Sequence, residues 1–433
     1  MSKKGVYNRR DFLKTAVGGA IGAISLPYII PSSALGKAGT IAPSNRITMG
    51  FIGVGGMGTG DLLDFMTKDE VRVLAVCDVD KAHRDKARDT VNQKYGNKDC
   101  ATYNDFRELI ARPDIDALCI AVPDHWHSIP AIMGAAAGKD IFAEKPLAYS
   151  IAEGRAMCNA VKRYGTVWQT GSQQRSGRDF RFACELVRNG RIGGVHTVKV
   201  GLPEGGSILI ETKPAPIPEG FDYEMWLGPA PWAPYAQERC HWNFRWISDY
   251  AGGQITDWAG HMCDIAQWGM NTELTSPVEI EGRGTGPTDG LYDTISNYRF
   301  ECRYAQGFTM IVADTSQFAL GVRFEGTDGW VFVNREKIEA EPKSLLSSTI
   351  GPNEIHLYKS DDHKQNFLDC IKTGAETVAP AEIAHRSIMI GHLGNIAMKL
   401  GRKLKWDPEK ELFINDDQAN RLLSRPMRGT WHV

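Results

Sequence analysis

Three groups of residues have the types and spacing to do chemistry, provided the fold brings them together. The first is Glu144-Lys145-Pro146. A lysine ammonium beside a substrate hydroxyl can hydrogen-bond it and stabilise the alkoxide that develops as the proton leaves. Glu144 is placed to position that lysine and its turn. The second group lies in GGQITDWAGHMCDIAQW, which reads as a helix after a Gly-Gly turn. Asp257 and His261 stand four residues apart and Asp264 three further on, so all three share one helix face. A carboxylate beside an imidazole orients the ring and favours its protonated form as that develops, which suits a general base. Composition alone equally admits a structural role, with Thr256 or Asp257 as the N-cap, His261 packed in a core and Asp264 bonding a loop.

The third group is GVGGMG, with Gly53, Gly55 and Gly58 in G-x-G-x-x-G register and Gly56 and Met57 between them. It follows the apolar run ITMGFI and opens a helix through Leu62 and Leu63. Such glycines permit a tight turn and close approach of a pyrophosphate, which then sits at the helix N-terminus. The run VRVLAVCD ends in Asp78, twenty residues past Gly58, where a carboxylate can bind the adenosine ribose hydroxyls. The expected cofactor is therefore NAD; NADP fits less well, because Asp78 would repel a 2′-phosphate. Asp80 either assists or is a solvated acid in the turn.

Position along the chain connects the groups. Pro123-Asp124-His125-Trp126-His127 lies just beyond IDALCIAV, and Glu144-Lys145-Pro146 just beyond DIFA. In an open parallel sheet, ligands bind outside the carboxyl ends of the strands, so both motifs should face the nicotinamide half of the cofactor. His125 and His127 have a ligand-like spacing without further donors nearby, and Asp257, His261 and Asp264 make at most a facial set. No metal site is expected. Six of the eleven tryptophans fall between Trp226 and Trp268, interleaved with Arg239, His241, Asn243 and Arg245. Aromatic faces suit the CH patches of sugar rings, and the polar groups suit hydroxyls. Trp242, Arg245 and Trp258, with Gln174 and Arg175 after the run TVWQTG, are the candidate substrate contacts, and several of the other aromatics should fill core.

The motifs GVGGMG, CDVD, VPDHWH, AGKDIFAEKP and GGQITDWAGHMCD resemble those of the Gfo/Idh/MocA family (glucose–fructose oxidoreductase, inositol dehydrogenase and MocA). The resemblance covers essentially the whole chain after its first segment. It implies that Lys145 polarises the substrate hydroxyl, that Asp257 and His261 are the catalytic pair, and that His125 and His127 line the cofactor pocket; Pro123, Glu144 and Lys145 are further candidate cofactor contacts from their place beyond the strand ends. It also implies a homodimer or homotetramer formed through an exposed sheet face.

The elements that must position these groups follow two grammars. From Arg46 to about Gly171, continuous apolar runs alternate with amphipathic helices, the pattern of a buried parallel βαβ sheet. Beyond Gly194, strands follow one another across Gly and Asp turns, predicting a mostly antiparallel sheet. The fold class is therefore an N-terminal Rossmann domain (45–170) and a C-terminal α+β domain (171–433) with a large, mostly antiparallel open sheet, whose last helices pack on the sheets or back on the first domain. A Pro- and Trp-rich insert from Pro203 to Trp246 reads as an irregular active-site loop.

The first 36 residues read as a twin-arginine export signal. Lys3, Lys4, Arg9 and Arg10 precede an apolar run, Thr15 to Ile30, that is too short to span a bilayer, with small residues Ala34 and Gly36 after it. A periplasmic protein without stable membrane insertion is expected. The net charge of −2, with acids and bases well mixed, offers no basic block for nucleic acid. Nine cysteines without CxxC pairs read as small buried residues. The combined expectation is an exported oxidoreductase acting on a sugar, glycoside or polyol hydroxyl, its NAD tightly bound and recycled in place. The resemblance also admits an NAD-dependent glycosidase working by oxidation, elimination, hydration and reduction, although retention of Glu144-Lys145-Pro146 favours the oxidoreductase. A non-catalytic sugar-binding protein is disfavoured by the presence of both Lys145 and His261.

Overall fold

The computed structural model describes Ala42, residues 45–206 and residues 211–433. The twin-arginine segment lies outside the described residues. Six parallel strands form the first sheet: β1 (Ile47–Ile52), β2 (Val71–Cys77), β3 (Ala101–Tyr103), β4 (Ala117–Ile120), β5 (Asp140–Ala143) and β6 (Trp168–Thr170), in the order β3-β2-β1-β4-β5-β6. β4 is buried throughout, as a strand covered on both faces must be. The covering helices include α1 (Gly56–Phe65), α2 (Lys81–Tyr95), α3 (Phe106–Ile110), α4 (Ser128–Ala136) and α5 (Ile151–Tyr164). Local chemistry sets their ends. Asp80 caps α2 by accepting from the Ala82 N–H, and Ser150 caps α5 by accepting from the Glu153 N–H while its hydroxyl donates to the Glu153 carboxylate. The strand order reverses between β1 and β4, which opens a crevice at their carboxyl ends. β3, with three half-buried residues, carries no readable periodicity and is absent from the sequence-based expectation.

The second sheet has nine strands: β7 (Val195–Leu202), β8 (Glu279–Thr285), β9 (Asn297–Arg303), β10 (Thr309–Asp314), β11 (Gly321–Gly326), β12 (Trp330–Val333), β13 (Ile338–Glu341), β14 (Leu404–Asp407) and β15 (Leu412–Phe413). All neighbours pair antiparallel except β7 with β10. Along β9 exposed and buried residues alternate, so one face packs inward and the other presents side chains outward. The inward face meets α6 (Arg178–Arg188), α8 (Gly253–Met270) and α10 (Ala381–Leu400), with Phe300 and Phe324 fully buried beneath them. Before α10, helix α9 (His363–Thr373) packs on the first sheet, where the Phe367 ring lies 5.9 Å from that of Phe142.

Two expectations change in detail. The insert contains a short helix, α7 (Tyr223–Leu227), and a small aromatic core around Trp226, Tyr235, Phe244 and Tyr250, so it is a packed strap with its own interior. Its chain pairs with the turn after β2: Lys81 N–H donates to Gly220 (2.9 Å) and Asp222 N–H to Val79 (3.0 Å). Helix α8 begins at Gly253, capped by Gly252, so Thr256 and Asp257 lie inside it and neither is its N-cap. All nine cysteines are buried. Among the described residues no helix is long and apolar enough to cross a membrane.

Candidate active site

A cleft of about 730 Å³ runs from the glycine turn after β1 to His261 on α8. At its first end the backbone approaches itself too closely for side chains. Gly53 adopts φ +81°, and a Cβ there would meet the Ala121 carbonyl at 2.4 Å. A Cβ on Gly58 would meet the Gly53 carbonyl at 2.0 Å. Around Gly56, in contrast, there is open space, and the first N–H groups of α1 are left for a ligand at that helix terminus. Asp78 is locked by two backbone donors, Val54 N–H and Asp80 N–H, each at 2.9 Å. Burial pushes its carboxyl above the ordinary range, and those two bonds oppose the shift. The cradle, the free helix terminus and the oriented acid fit a dinucleotide: Gly55, Gly56 and Met57 would meet the pyrophosphate, and Asp78 the adenosine ribose.

The chemistry-bearing side chains converge at the other end. Lys145 Nζ donates to Asp257 Oδ1 at 2.7 Å, and Arg245 Nε lies 3.7 Å from Asp257 Oδ2. His261 is buried one turn further along α8, with its Nδ1 unpartnered among the described residues. Burial holds its pKa well below the ordinary imidazole range, and the positive charges of Lys145 and Arg335 add to this. The ring is therefore neutral at physiological pH and able to accept a proton. Glu144 lies buried behind Lys145, accepting from Gln173 Nε2 at 3.1 Å and from the Lys145 N–H at 3.3 Å. Burial, with the negative charge of Asp61, pushes it up to about 8.

The expected site residues separate into groups. Gly53, Gly55, Gly56, Met57, Asp78, Pro123, Glu144 and Lys145 line the cleft, as do Asp257, His261, Trp242, Arg245 and Trp258. Gly58 does not line it; its role is close packing on Gly53. His125 and His127 lie behind the wall, their Nε2 groups donating to the carbonyls of Trp226 (3.0 Å) and Val122 (2.8 Å). Burial lowers them to about 3 and about 4, so they are neutral struts of the turn and do not line the pocket. Gln174 and Arg175 are also withdrawn. The Arg175 guanidinium is buried against Asp264 (2.6 and 2.9 Å) and Glu273 (2.8 Å), while Gln174 Oε1 accepts from Arg335 at 3.3 Å. Asp264 is thus an ion-pair partner inside the protein. Nor does the Asp257 carboxylate bond His261: it holds Lys145, because the lysine after β5 reaches across to α8.

Two cleft residues escape the sequence reading. Arg335, in the turn between β12 and β13, lies over the Trp258 ring at 4.9 Å, and no local pattern distinguishes it from a surface arginine. Asp124 is visible within PDHWH, yet only its burial beside Asp257 pushes it up to about 7.

Comparison with known proteins agrees with this geometry. Residues 47–172 match the profile described as oxidoreductase family, NAD-binding Rossmann fold, and residues 206–433 that described as oxidoreductase family, C-terminal alpha/beta domain. An alpha-N-acetylgalactosaminidase of Shewanella oneidensis is 32% identical over 200 residues, 43% of this chain and 44% of that protein. The chain thus aligns with under half the length of that relative. The uncharacterized oxidoreductase YrbE of Bacillus subtilis is 25% identical over 77% of this chain and 87% of its own. Among solved structures, a levoglucosan dehydrogenase in complex with NADH superposes with a TM-score of 0.62 at 19% identity, over 83% of this chain and 99% of its own. The chain belongs to the Gfo/Idh/MocA oxidoreductase family, with that family's NAD-binding Rossmann domain and C-terminal α/β domain.

Proposed function

We propose that this protein is an exported NAD-dependent oxidoreductase that oxidises a hydroxyl of a sugar, glycoside or polyol and retains its cofactor between turnovers. The observation that carries the reading is the Lys145–Asp257 pair beside a buried, neutral His261 whose Nδ1 has no hydrogen-bond partner among the described residues, at one end of a cleft whose other end is a dinucleotide cradle. Bound NAD supplies the hydride acceptor. His261 takes the hydroxyl proton. Lys145, held by Asp257, donates a hydrogen bond to the same oxygen and stabilises its developing charge. Trp242, Trp258 and Arg245 orient the ring, and Trp126 and Phe244 help to exclude water from the cleft.

Retention is supported by the strap, whose backbone bonds to Val79 and Lys81 lie beside the adenosine end. Export through the twin-arginine route would deliver the protein already folded, to a compartment without a soluble nicotinamide pool. Two substrates in succession, one giving and one taking reducing equivalents, would then share one site.

The similarity to an alpha-N-acetylgalactosaminidase favours a second reading, a glycosidase in which the same sugar returns its hydride after the aglycone has left. One experiment separates them. The purified protein is analysed for nucleotide and incubated with labelled glycosides without added cofactor. Stoichiometric reduction of bound NAD, reversed by a second carbonyl substrate, is the expected result. Glycosidic cleavage with no net redox change would replace the oxidoreductase by the glycosidase, and failure to bind any nucleotide would exclude both.

A further inference from the structure

One cluster in the wall of the cleft, at its adenosine end and with His83 Nδ1 3.9 Å from Asp78 Oδ2, plays no part in that proton and hydride chemistry. Asp80, His83 and His241 hold three potential metal-ligand atoms within 4.8 Å of one another. Asp80 and His83 stand at the start of α2, whereas His241 belongs to the strap, far away in sequence. The His241 Nε2 lies 3.7 Å from Asp80 Oδ2, and His83 Nδ1 lies 4.0 Å from the same oxygen. The other Asp80 oxygen is occupied as the N-cap acceptor for Ala82, so Oδ2 is the atom left facing both rings. His241 reaches this position from φ +54°, a left-handed conformation uncommon outside glycine. The rings meet edge to face with centroids 5.1 Å apart.

We propose that Asp80, His83 and His241 form a binding site for a divalent transition metal of the zinc class, and that the bound ion fastens the strap over the adenosine end of the cleft. Two imidazoles and a carboxylate are a normal donor set for zinc, with a fourth position left to water. Tetrahedral ligation needs donor separations of about 3.3–3.5 Å, so the distances to Asp80 have to contract by roughly half an ångström, and the widest separation in the set, within 4.8 Å, by up to about 1.4 Å. The elements that must move are already joined, since Asp80 bridges Phe221 and the strap's backbone bonds flank it. The consequence follows from placement. His83 lies against Gly55 of the phosphate cradle, where a Cβ would meet the ring at 3.8 Å, so an ion tying His83 to His241 closes the exit beside the adenosine ribose. The sequence offers no hint of the site, because the spacing between His83 and His241 matches no ligand motif.

The test uses the untagged, NAD-loaded protein after dialysis against chelator. Titration calorimetry with zinc chloride should show one equivalent bound per chain, and both His241→Ala and His83→Ala should weaken binding at least tenfold, while His356→Ala leaves it unchanged. Zinc should also slow the release of bound NAD into a trapping dehydrogenase in the unaltered protein and not in His241→Ala. Absence of zinc binding, or equal binding by the His241 and His83 variants, overturns the site. Zinc binding without a change in NAD release overturns the fastening. If His241→Ala fails to fold, His83→Ala on the exposed start of α2 decides both measurements. None of these readouts depends on turnover, so they stand apart from the choice between oxidoreductase and glycosidase.

Discussion

Replacing Glu144 by glutamine should stabilise the protein, and increasingly so as pH rises. Glu144 is buried, and its carboxyl is pushed from the ordinary 4.5 up to about 8, first by burial and then by the charge of Asp61. The folded state therefore holds a proton that the unfolded chain releases above pH 4.5. Stability relative to a neutral isostere is complete below that pH and is lost as pH rises towards 8. Between pH 5 and pH 7 the loss is about 2.5 kcal/mol, since each pH unit between the two pKa values is worth about 1.4 kcal/mol. Glutamine has the same shape and carries no proton to lose. Equilibrium urea unfolding of the nucleotide-free proteins at pH 5, 6, 7 and 8 measures the difference. The variant should match the parent near pH 5 and exceed it by about 2–3 kcal/mol at pH 7. Parallel profiles, or a variant less stable at every pH, would show that Glu144 is ionised in the fold and would refute the reasoning.

Lys145→Ala and His261→Ala should each lower kcat by about 10²–10⁴-fold with nucleotide retention unchanged, as single-turnover assays and nucleotide analysis would show. Because burial and Lys145 lower the His261 pKa, the acid limb of kcat/KM should fall below the ordinary imidazole range, and a limb at pH 6.5 or above would argue against His261 as the base. The cradle glycines should divide: Gly58→Ala, driven into the Gly53 carbonyl, loses stability and NAD together, whereas Gly56→Ala, with open space around it, keeps its melting temperature and loses NAD affinity in calorimetry. Arg175→Met leaves the Asp264 carboxylate buried without its partner and should cost about 3–5 kcal/mol in unfolding free energy. A raised KM at unchanged stability would instead return Arg175 to the substrate.

Sequence alone determined what depends on neighbours along the chain. The period of the apolar runs separates a parallel from a mostly antiparallel sheet, because side chains of a doubly covered strand must all be apolar while those of a half-covered strand alternate. The glycine register and Asp78 specify a dinucleotide cradle, because one turn and the strand after it supply every part. Lys145, Asp257 and His261 stand out for the same reason, each within a short motif at an element's end or on one helix face. Tertiary structure decided which atoms meet. Spacing put Asp257 on His261, yet its carboxylate holds Lys145. Arg175 followed a strand pointing at the cleft but is drawn inward by Asp264 and Glu273. Arg335 and the His83–His241 approach come from segments remote in sequence, and β3 is too short to have a period. Those contacts arise only when distant elements dock, where burial raises the energetic cost of every unpaired charge and so selects its partner.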